Sequence, residues 1–286
     1  MRSIYDKKRR VSDTILNGLI HLSTGFALTI VLVILGYIAF RGVPELDFGY
    51  FINQTSILKN TVGILPNIIN TLYMIVLTLL IAVPIGVGGA IYLNEYADGG
   101  RFVDLVSFTT EVLSGIPSIV YGLFGYLFFG IFMGLSYSIL TGALTLAIMV
   151  LPLISRNTQV ALDNVPNSYR EAALGIGSTK WYMIRTVLLP SAIPGILTGI
   201  ILAMGRVVAE SAALIFTAGA VAKLPSSFFG HITTSGATLT IQLYFEMAKG
   251  NFDIAFVIAV VLMVIVLTLN FLARWISMRF DVNRIK

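Results

Sequence analysis

Six long apolar runs dominate the pattern of hydrophobic and polar positions along this chain of 286 residues. They cover residues 18–40, 68–93, 105–133, 138–154, 194–221 and 254–276. A bilayer core about 30 Å thick needs roughly 20 helical residues, and each run is close to that length. Because the runs are continuously apolar and do not alternate, they indicate helices rather than the strands of a barrel. The pattern therefore predicts an all-α polytopic membrane protein with six transmembrane helices.

The first run differs from the others in its surroundings. It follows a basic segment, 1–17, but it is too long for the apolar core of a signal peptide and no small-residue cleavage site follows it, so we expect it to be retained. A polar loop, 41–67, separates it from the remaining runs. We therefore expect an N-terminal helix added to a five-helix membrane domain at 68–276, followed by a tail at 277–286.

Composition and charge predict how the chain is oriented in the membrane. With 57% hydrophobic and 12% charged residues, the chain is not a water-soluble domain. If the N-terminus is inside, fourteen Lys and Arg residues fall on that side and four on the other, which are Arg41, Lys59, Lys223 and Lys249. Cytoplasmic segments carry the excess of basic residues, so both termini are predicted to be cytoplasmic. The net charge of +5 is explained by this topology and indicates no nucleic-acid partner.

A polar loop at 155–193 carries helix signals of its own. Pro166 ends the preceding helix, and Ser168 followed by Glu171 is typical of a capping box, in which each side chain bonds a backbone amide. Gly175 and Gly177 then predict the end of a short helix. In a protein this apolar, a compact loop with its own helical signals is expected to dock against another protein.

A second helix is predicted after this turn. Ser178 or Thr179 supplies its cap. Trp181, Ile184 and Leu188 follow at spacings of three and four, which predicts that they share one face.

The loop also resembles the EAA loop of ABC importer permeases. The match consists of Glu171-Ala172-Ala173, then Gly177, then Val187-x-Leu189-Pro190, although the family usually has Ile where Val187 stands. The resemblance implies that the loop forms the coupling helix, which sits in a groove of the ATP-hydrolysing subunit. The residues it assigns to ATPase coupling are Ser168, Glu171, Ala172, Ala173, Gly177 and Pro190.

Two charged residues interrupt the fifth apolar run. Arg206 and Glu210 are four residues apart, so a continuous helix places them on one face. Arg206 lies about 18 Å along the helix from Pro194, near the middle of the bilayer. A charge at that depth must face protein or water and have a partner. Two interpretations stay open: a structural Arg206–Glu210 ion pair, or a charged position on a solute path.

Glu111, in the third run, is a further candidate for the solute path. It begins a stripe with Ser114, but because it lies about two turns from Asp104, an interfacial position is also expected. The sequence contains no nucleophile–base–acid set, no phosphate-cradling glycine loop and no metal-ligand spacing. We therefore expect a non-enzymatic chain without a cofactor or metal of its own, whose ATP is bound by partner subunits.

Three further segments resemble the phosphate ABC transporter permease of the PstA type. They are residues 115–125, 144–152 and 189–199, and the similarity extends over roughly 67–274. In the fifth span PstA-type chains usually read Arg-x-x-Gly-Glu-Thr-Ala-Pro-Leu, whereas this chain has Ala209 and Ala213 in place of Gly and Pro, and Ser211 in place of Thr. The loss of that proline predicts a straighter fifth helix.

The resemblance implies the permease subunit of a type I ABC importer for inorganic phosphate, in the inner membrane of a prokaryotic cell. Its expected partners are two ATP-binding subunits, a PstC-type second permease and an external phosphate-binding protein. The alternatives are an ABC permease for another solute, such as phosphonate, molybdate or an amino acid, and an intramembrane enzyme or ion-driven carrier.

Overall fold

A computed structural model describes residues 11–52, 63–97, 99–225 and 227–279. Within these residues every regular element is helical. Most of the basic N-terminal segment, Lys59 in the first outer loop and the end of the C-terminal tail lie outside the described residues.

Thirteen α-helices follow one another along the described chain, and three of them continue into a wider π-helical turn. They are α1 Val11–Gly42, α2 Gly49–Ile52, α3 Leu65–Ile91 (continued by the π turn Tyr92–Tyr96), α4 Arg101–Gly115, α5 Ser118–Gly125 (continued by Tyr126–Phe132), α6 Ile139–Asp163, α7 Asn167–Gly175, α8 Lys180–Met183 (continued by Ile184–Leu188), α9 Leu189–Ala209, α10 Ala212–Thr217, α11 Phe228–Ile232, α12 Leu239–Ala248 and α13 Phe252–Arg279.

Five of the predicted spans are single helices long and apolar enough to cross a membrane: Ile15–Gly42, Leu65–Tyr96, Ile139–Asp163, Lys180–Ala209 and Phe252–Met278. The sixth, predicted at 105–133, is broken into α4 and α5, which meet at an angle of 105°. The physical reason is Pro117, which lacks an amide hydrogen and pushes Ile116 into an extended conformation with ψ at 131°. The prediction of six spans holds, with one of them bent.

Close contacts stabilise this elbow between α4 and α5. The Tyr121 hydroxyl donates a hydrogen bond to the carbonyl of Leu113 across the bend, at 2.7 Å. A Cβ on Gly122 would lie 2.7 Å from the Cα of Ala213, so α5 packs directly on the backbone of α10. Only glycine permits that approach.

The fifth span ends earlier than predicted, since α9 stops at Ala209 and Glu210 is extended, with ψ at 125°. The straighter helix expected from the loss of proline is therefore wrong. Side-chain bonds replace the helical ones at the break. Glu210 Oε1 accepts from the amide of Ala213 at 3.1 Å, and its carbonyl accepts from the Thr240 hydroxyl at 2.8 Å.

The core lies where α3, α6 and α9 meet, and α6 is the most deeply buried of the spans. On α9, a Cβ at Gly195 would lie 2.5 Å from Ala161, and one at Gly199 would lie 2.6 Å from Asn157, so α9 and α6 are in backbone-close contact. In contrast, α1 is exposed along its apolar length and touches α13 near its end, where Tyr37 meets Phe256 edge-on at 5.6 Å. The expected N-terminal helix outside a five-helix core is confirmed.

The segment between α10 and α13 covers the N-terminal ends of α3 and α6, and it contains the short helices α11 and α12. Asn67 and Asn70 of α3 each donate to the carbonyl of Ala237 at 3.1 Å. The amide of Ile139 donates to the carbonyl of Thr234 at 3.0 Å. His231, which is 3% exposed, shares a 2.7 Å hydrogen bond with Asn70 Oδ1.

Candidate functional site

A cavity of about 430 Å³ opens between α4, α6 and α9, beside the π turn that follows α3. All four of these elements contribute residues to the cavity wall. The lining residues are Leu93, Ser107, Thr110, Glu111, Ser114, Met149, Pro152, Leu153, Arg156, Asn157, Gln159 and Arg206.

The charged residues of this lining are Arg156, Arg206 and Glu111. Two permanently charged guanidinium groups therefore face one carboxylate, which gives the lining a positive balance. Hydroxyl and amide side chains of α4 and α6 share this lining, and among them Thr110, Ser114 and Asn157 already donate to backbone carbonyls of their own helices. A cavity among membrane-spanning helices that carries two arginines and one glutamate beside apolar walls is suited to a small anion.

The Arg206–Glu210 ion pair, one of the two interpretations left open by the sequence, is absent from the described part of the chain, where the ion pairs found are Glu95–Arg170 and Glu246–Lys249. It does not form because the helix does not continue through Glu210. The extended backbone at Glu210 removes the four-residue repeat, and its carboxylate caps α10 instead. Arg206 lies on the cavity, whereas Glu210 is not among the lining residues.

Glu111 and Ser114 line the same cavity as Arg206. The structure thus brings two of the three candidate path residues together, although they come from runs almost a hundred residues apart in sequence.

Arg156 was missed as a cavity residue because the fourth apolar run ends before it, which placed it in the cytoplasmic loop. The helix instead continues to Asp163, since Ile154, Thr158 and Leu162 keep one face of α6 buried. That three-to-four spacing is the signal in the sequence that could have located Arg156 on a helix.

The first helix of the polar loop is α7, and the predicted capping box is wrong. The N-cap position is Pro166, without a side-chain cap bond, and Ser168 lies inside the first turn. Helix formation starts earlier because Pro166 supplies the extended backbone that the cap needs, with ψ at 137°. Glu171 and Ala172 are exposed, whereas Ala173 is buried against the second helix.

The glycine turn and the cap of the second helix are as predicted. Gly177 has φ at +84°, and the amide of Ser178 returns to the carbonyl of Ala173 at 3.2 Å. The Ser178 hydroxyl donates to the same carbonyl at 2.6 Å. Thr179 caps α8 by accepting from the amide of Tyr182 at 3.3 Å.

The predicted face of the second helix is only partly formed. Ile184 and Leu188 are fully buried, but Trp181 is 58% exposed. The π turn at Ile184–Leu188 adds residues to one turn and changes the register, so Trp181 leaves the buried face. Pro190 is the second residue of α9, which follows immediately, and it is half-buried.

Five large side chains of the loop are exposed, and we call this set the docking patch. Its members are Tyr169, Leu174, Ile176, Trp181 and Tyr182, exposed by 47% to 86%. A cluster of this kind at the end of the helices, outside the long apolar runs, is typical of a protein–protein contact.

Arg170 attaches the loop to the membrane domain. Its Nη2 donates to Glu95 Oε1 at 2.9 Å and to the carbonyl of Leu162 at 3.0 Å, and its Nη1 donates to the carbonyl of Val165 at 3.0 Å. Nη1 also donates to Asn167 Oδ1 at 3.2 Å, and Nε donates to Glu95 Oε1 at 3.2 Å. A guanidinium has five N–H donors, so every donor of Arg170 is bonded. Sequence reasoning missed Glu95, which carries no motif and follows an apolar run.

Comparison with known proteins shows the same architecture in transporters. The family described as binding-protein-dependent transport system inner membrane component matches residues 82–282. The chain is 36% identical over 282 residues to the probable ABC transporter permease protein YqgI of Bacillus subtilis (strain 168), covering 94% of this chain and 96% of that protein.

Two further relatives are phosphate transport system permease proteins. PstA of Pasteurella multocida (strain Pm70) is 33% identical, with coverage of 93% of this chain and 94% of that protein. PstC of Mesorhizobium japonicum is 31% identical, with coverage of 93% and 91%.

A solved structure of a bacterial ABC transporter involved in the import of the acidic polysaccharide alginate has the same fold, with a TM-score of 0.65 and 18% identity over 94% of this chain and 98% of that one. The chain belongs to the family of inner membrane components of binding-protein-dependent transport systems, the ABC importer permeases.

Proposed function

We propose that this chain is a PstA-type permease subunit of an ATP-driven importer of inorganic phosphate. The observation that carries the proposal is the pair of guanidinium groups, Arg156 and Arg206, on one cavity between the spans. Relatives that are named as phosphate permeases support the choice of solute. The cavity provides a fixed positive charge and planar forks of N–H donors, which match the geometry of a tetrahedral oxyanion.

Release of the anion matters as much as its capture. A site between two arginines would hold phosphate too tightly for transport if nothing opposed it, because conduction requires weak binding. Glu111 lies on the same cavity and reduces its net positive charge. Its carboxylate repels the anion and shortens its stay.

Partner subunits supply ATP hydrolysis, the second half of the path and the capture of the solute. Two ATP-binding subunits bind and hydrolyse ATP and dock on the docking patch and α7. A PstC-type second permease completes the path, and an external phosphate-binding protein delivers the ligand. Both termini of the chain face the cytoplasm of a prokaryotic cell, and the segment of α11 and α12 faces outwards.

The test is phosphate uptake per assembled complex after Arg206→Gln. Two charge-assisted hydrogen bonds are worth roughly 3 kcal/mol together, so uptake per complex should fall by at least about tenfold while the amount of complex stays unchanged. Wild-type flux per complex would contradict the proposed path.

Two control variants make the result specific. Glu210→Gln keeps an acceptor for the amide of Ala213, so it should keep uptake near the wild-type value, whereas a working Arg206–Glu210 pair would require both variants to fail. Arg274→Gln removes an exposed arginine from α13, away from the cavity lining, and should also leave uptake unchanged.

A permease for another oxyanion remains the second candidate, since a pair of guanidinium groups can bind phosphonate or molybdate as well as phosphate. Competition separates these solutes. If the transporter takes up phosphate, a tenfold excess of molybdate or phosphonate should leave the uptake of labelled phosphate largely intact. Strong inhibition by one of them would identify that anion as the better substrate.

A further inference from the structure

The Glu95–Arg170 ion pair joins the polar loop to both helices that form the inner part of the cavity wall. Glu95 lies in the π turn that ends α3, and Leu93 of the same turn lines the cavity. Arg170 lies in α7, and it also bonds the carbonyl of Leu162 at the end of α6. Because α6 carries Arg156 and Asn157 on the cavity, one guanidinium connects the loop with two cavity walls.

The pair is built for a fixed geometry. The side chains of Glu95 and Arg170 are 5% and 19% exposed, so water competes weakly for their hydrogen bonds. All five donors of Arg170 are used, which leaves no freedom for the guanidinium to turn. In contrast, the other ion pair of the described residues, Glu246–Lys249, joins neighbours within one turn, and the Lys249 side chain is 60% exposed.

Two further contacts link the same elements. Asn94, beside Glu95, donates to the carboxylate of Asp163 at the end of α6. The ammonium of Lys180, at the start of α8, lies 5.1 Å from the centre of the Tyr96 ring. The end of α3 is thus held by residues on both sides of the glycine turn.

We propose that Glu95 and Arg170 form a clamp through which movement of α7 is transmitted to the cytoplasmic ends of α3 and α6, so that docking of the ATPase and the shape of the cavity change together. The inference rests on the proposed function of α7 as the coupling helix. Glu95 and Arg170 are positioning residues in this scheme, since neither of them is among the residues that line the cavity. A stiff, buried, fully bonded contact transmits displacement, whereas a loose surface pair would absorb it.

The first test uses the complete transporter, with its partner subunits and binding protein, in proteoliposomes. Glu95→Gln keeps the size of the side chain but removes its charge, and Arg170→Lys keeps the charge but removes the fork. In each variant phosphate imported per ATP hydrolysed should fall by about tenfold, within the usual range of coupling between sites. Lys249→Gln, which breaks the other ion pair, should leave the ratio unchanged. If the pair is only structural, the variants will lower the amount of complex but leave the ratio of phosphate to ATP as in the wild type. That result would overturn the proposal.

A second readout does not depend on the solute. The chain has no cysteine, so Ser107→Cys places a unique thiol of this chain on the cavity. ATP with vanadate should change its labelling rate by at least about fivefold, and Glu95→Gln should abolish that change. A change that persists in Glu95→Gln would show that movement reaches the cavity without the clamp. If labelling responds to ATP but no phosphate is imported, the proposed substrate is wrong, and the clamp is judged by labelling alone.

A covalent link between positions 95 and 170 should replace the ion pair. The double variant Glu95→Cys with Arg170→Cys should be uncoupled as prepared. A bifunctional thiol reagent, about as long as the two side chains it replaces, should restore the ratio of phosphate to ATP. Failure of the linked protein to recover, with linkage verified by mass, would count against a mechanical role for this contact.

Discussion

Glycines with a left-handed backbone determine where the polar loop turns. Gly177 has φ at +84°, and a Cβ added there would meet no atom within 4 Å, so the requirement for glycine comes from the backbone conformation alone. Gly175, two residues earlier, ends α7 with an ordinary φ and equally open surroundings. A side chain would fit at both positions, but only at Gly177 would it conflict with the backbone conformation.

Gly177→Ala should destabilise the turn by about 1–2 kcal/mol, because a side chain disfavours left-handed backbone. A loss of that size weakens association with the ATP-binding subunits by roughly tenfold, or uncouples hydrolysis from uptake by a similar factor. The measurement is the affinity of the purified permease for the ATPase, together with uptake per ATP. Gly175→Ala is the matched control and should behave as the wild type. Equal behaviour of the two variants would show that the turn is not needed for docking.

The residue scale is also where prediction from sequence was weakest. The glycine turn and the Thr179 cap follow local rules and were predicted correctly. The Glu95–Arg170 ion pair joins residues 75 positions apart, and no local pattern encodes such a contact. Ser168 failed as a cap because Pro166 already supplied the required backbone.

At the scale of elements, hydrophobic runs predicted how many segments cross the membrane but not where they break. The hydropathy of a run reflects the free energy of transferring its side chains into lipid. That free energy is similar for a straight and a bent helix. The bend at Pro117 and the break at Glu210 were therefore invisible to hydropathy, although Pro117 itself was a visible signal. The first of these breaks ends α4, which lines the cavity with four residues, Ser107, Thr110, Glu111 and Ser114.

The outer segment with α11 and α12 is an element whose stability should depend on pH. Burial lowers the pKa of His231 below its ordinary value of 6.5. Its neighbours are Asn70, Tyr73 and Thr234, and none of these residues carries a charge that favours the protonated ring. A histidine with a lowered pKa stabilises the folded segment fully above pH 6.5, and that contribution is lost as the pH falls through the ordinary pKa towards the folded one.

Amide hydrogen exchange between residues 227 and 239 should therefore accelerate, after correction for intrinsic rates, when the pH is lowered from about 8 to about 5. His231→Gln keeps a donor for Asn70 Oδ1 but cannot take up a proton, so it should remove the pH dependence. A pH effect that persists in His231→Gln would assign it to another group.

At the scale of the whole molecule, one orientation in the membrane connects the cavity, the docking patch and the outer segment. The patch and the segment of α11 and α12 must lie on opposite sides of the bilayer if the first docks an ATPase and the second faces the exterior. The distribution of Lys and Arg predicts the same orientation from an independent physical effect.

Single cysteines at exposed positions test this orientation in intact cells. Glu45→Cys and Lys223→Cys should react with an impermeant thiol reagent added outside, and Ile176→Cys, at a position 86% exposed, should react only after the membrane is opened. The absence of native cysteine makes each signal specific to the introduced residue within this chain. Labelling of Ile176→Cys from outside would invert the topology.

The contact of Gly122 with Ala213 has a consequence for how the chain is made. Segment 101–132 reaches the membrane first as one apolar stretch, but α5 can settle on α10 only when α10 has been synthesised, about 90 residues later. At roughly 5–20 residues per second, the ribosome needs about 5–20 s to make those residues. During that interval α5 has α6 to pack on but lacks α10, so we expect the elbow to acquire its final shape late in biogenesis. A bulky residue at Gly122 should then be harmful chiefly by leaving newly made protein unfinished and open to degradation.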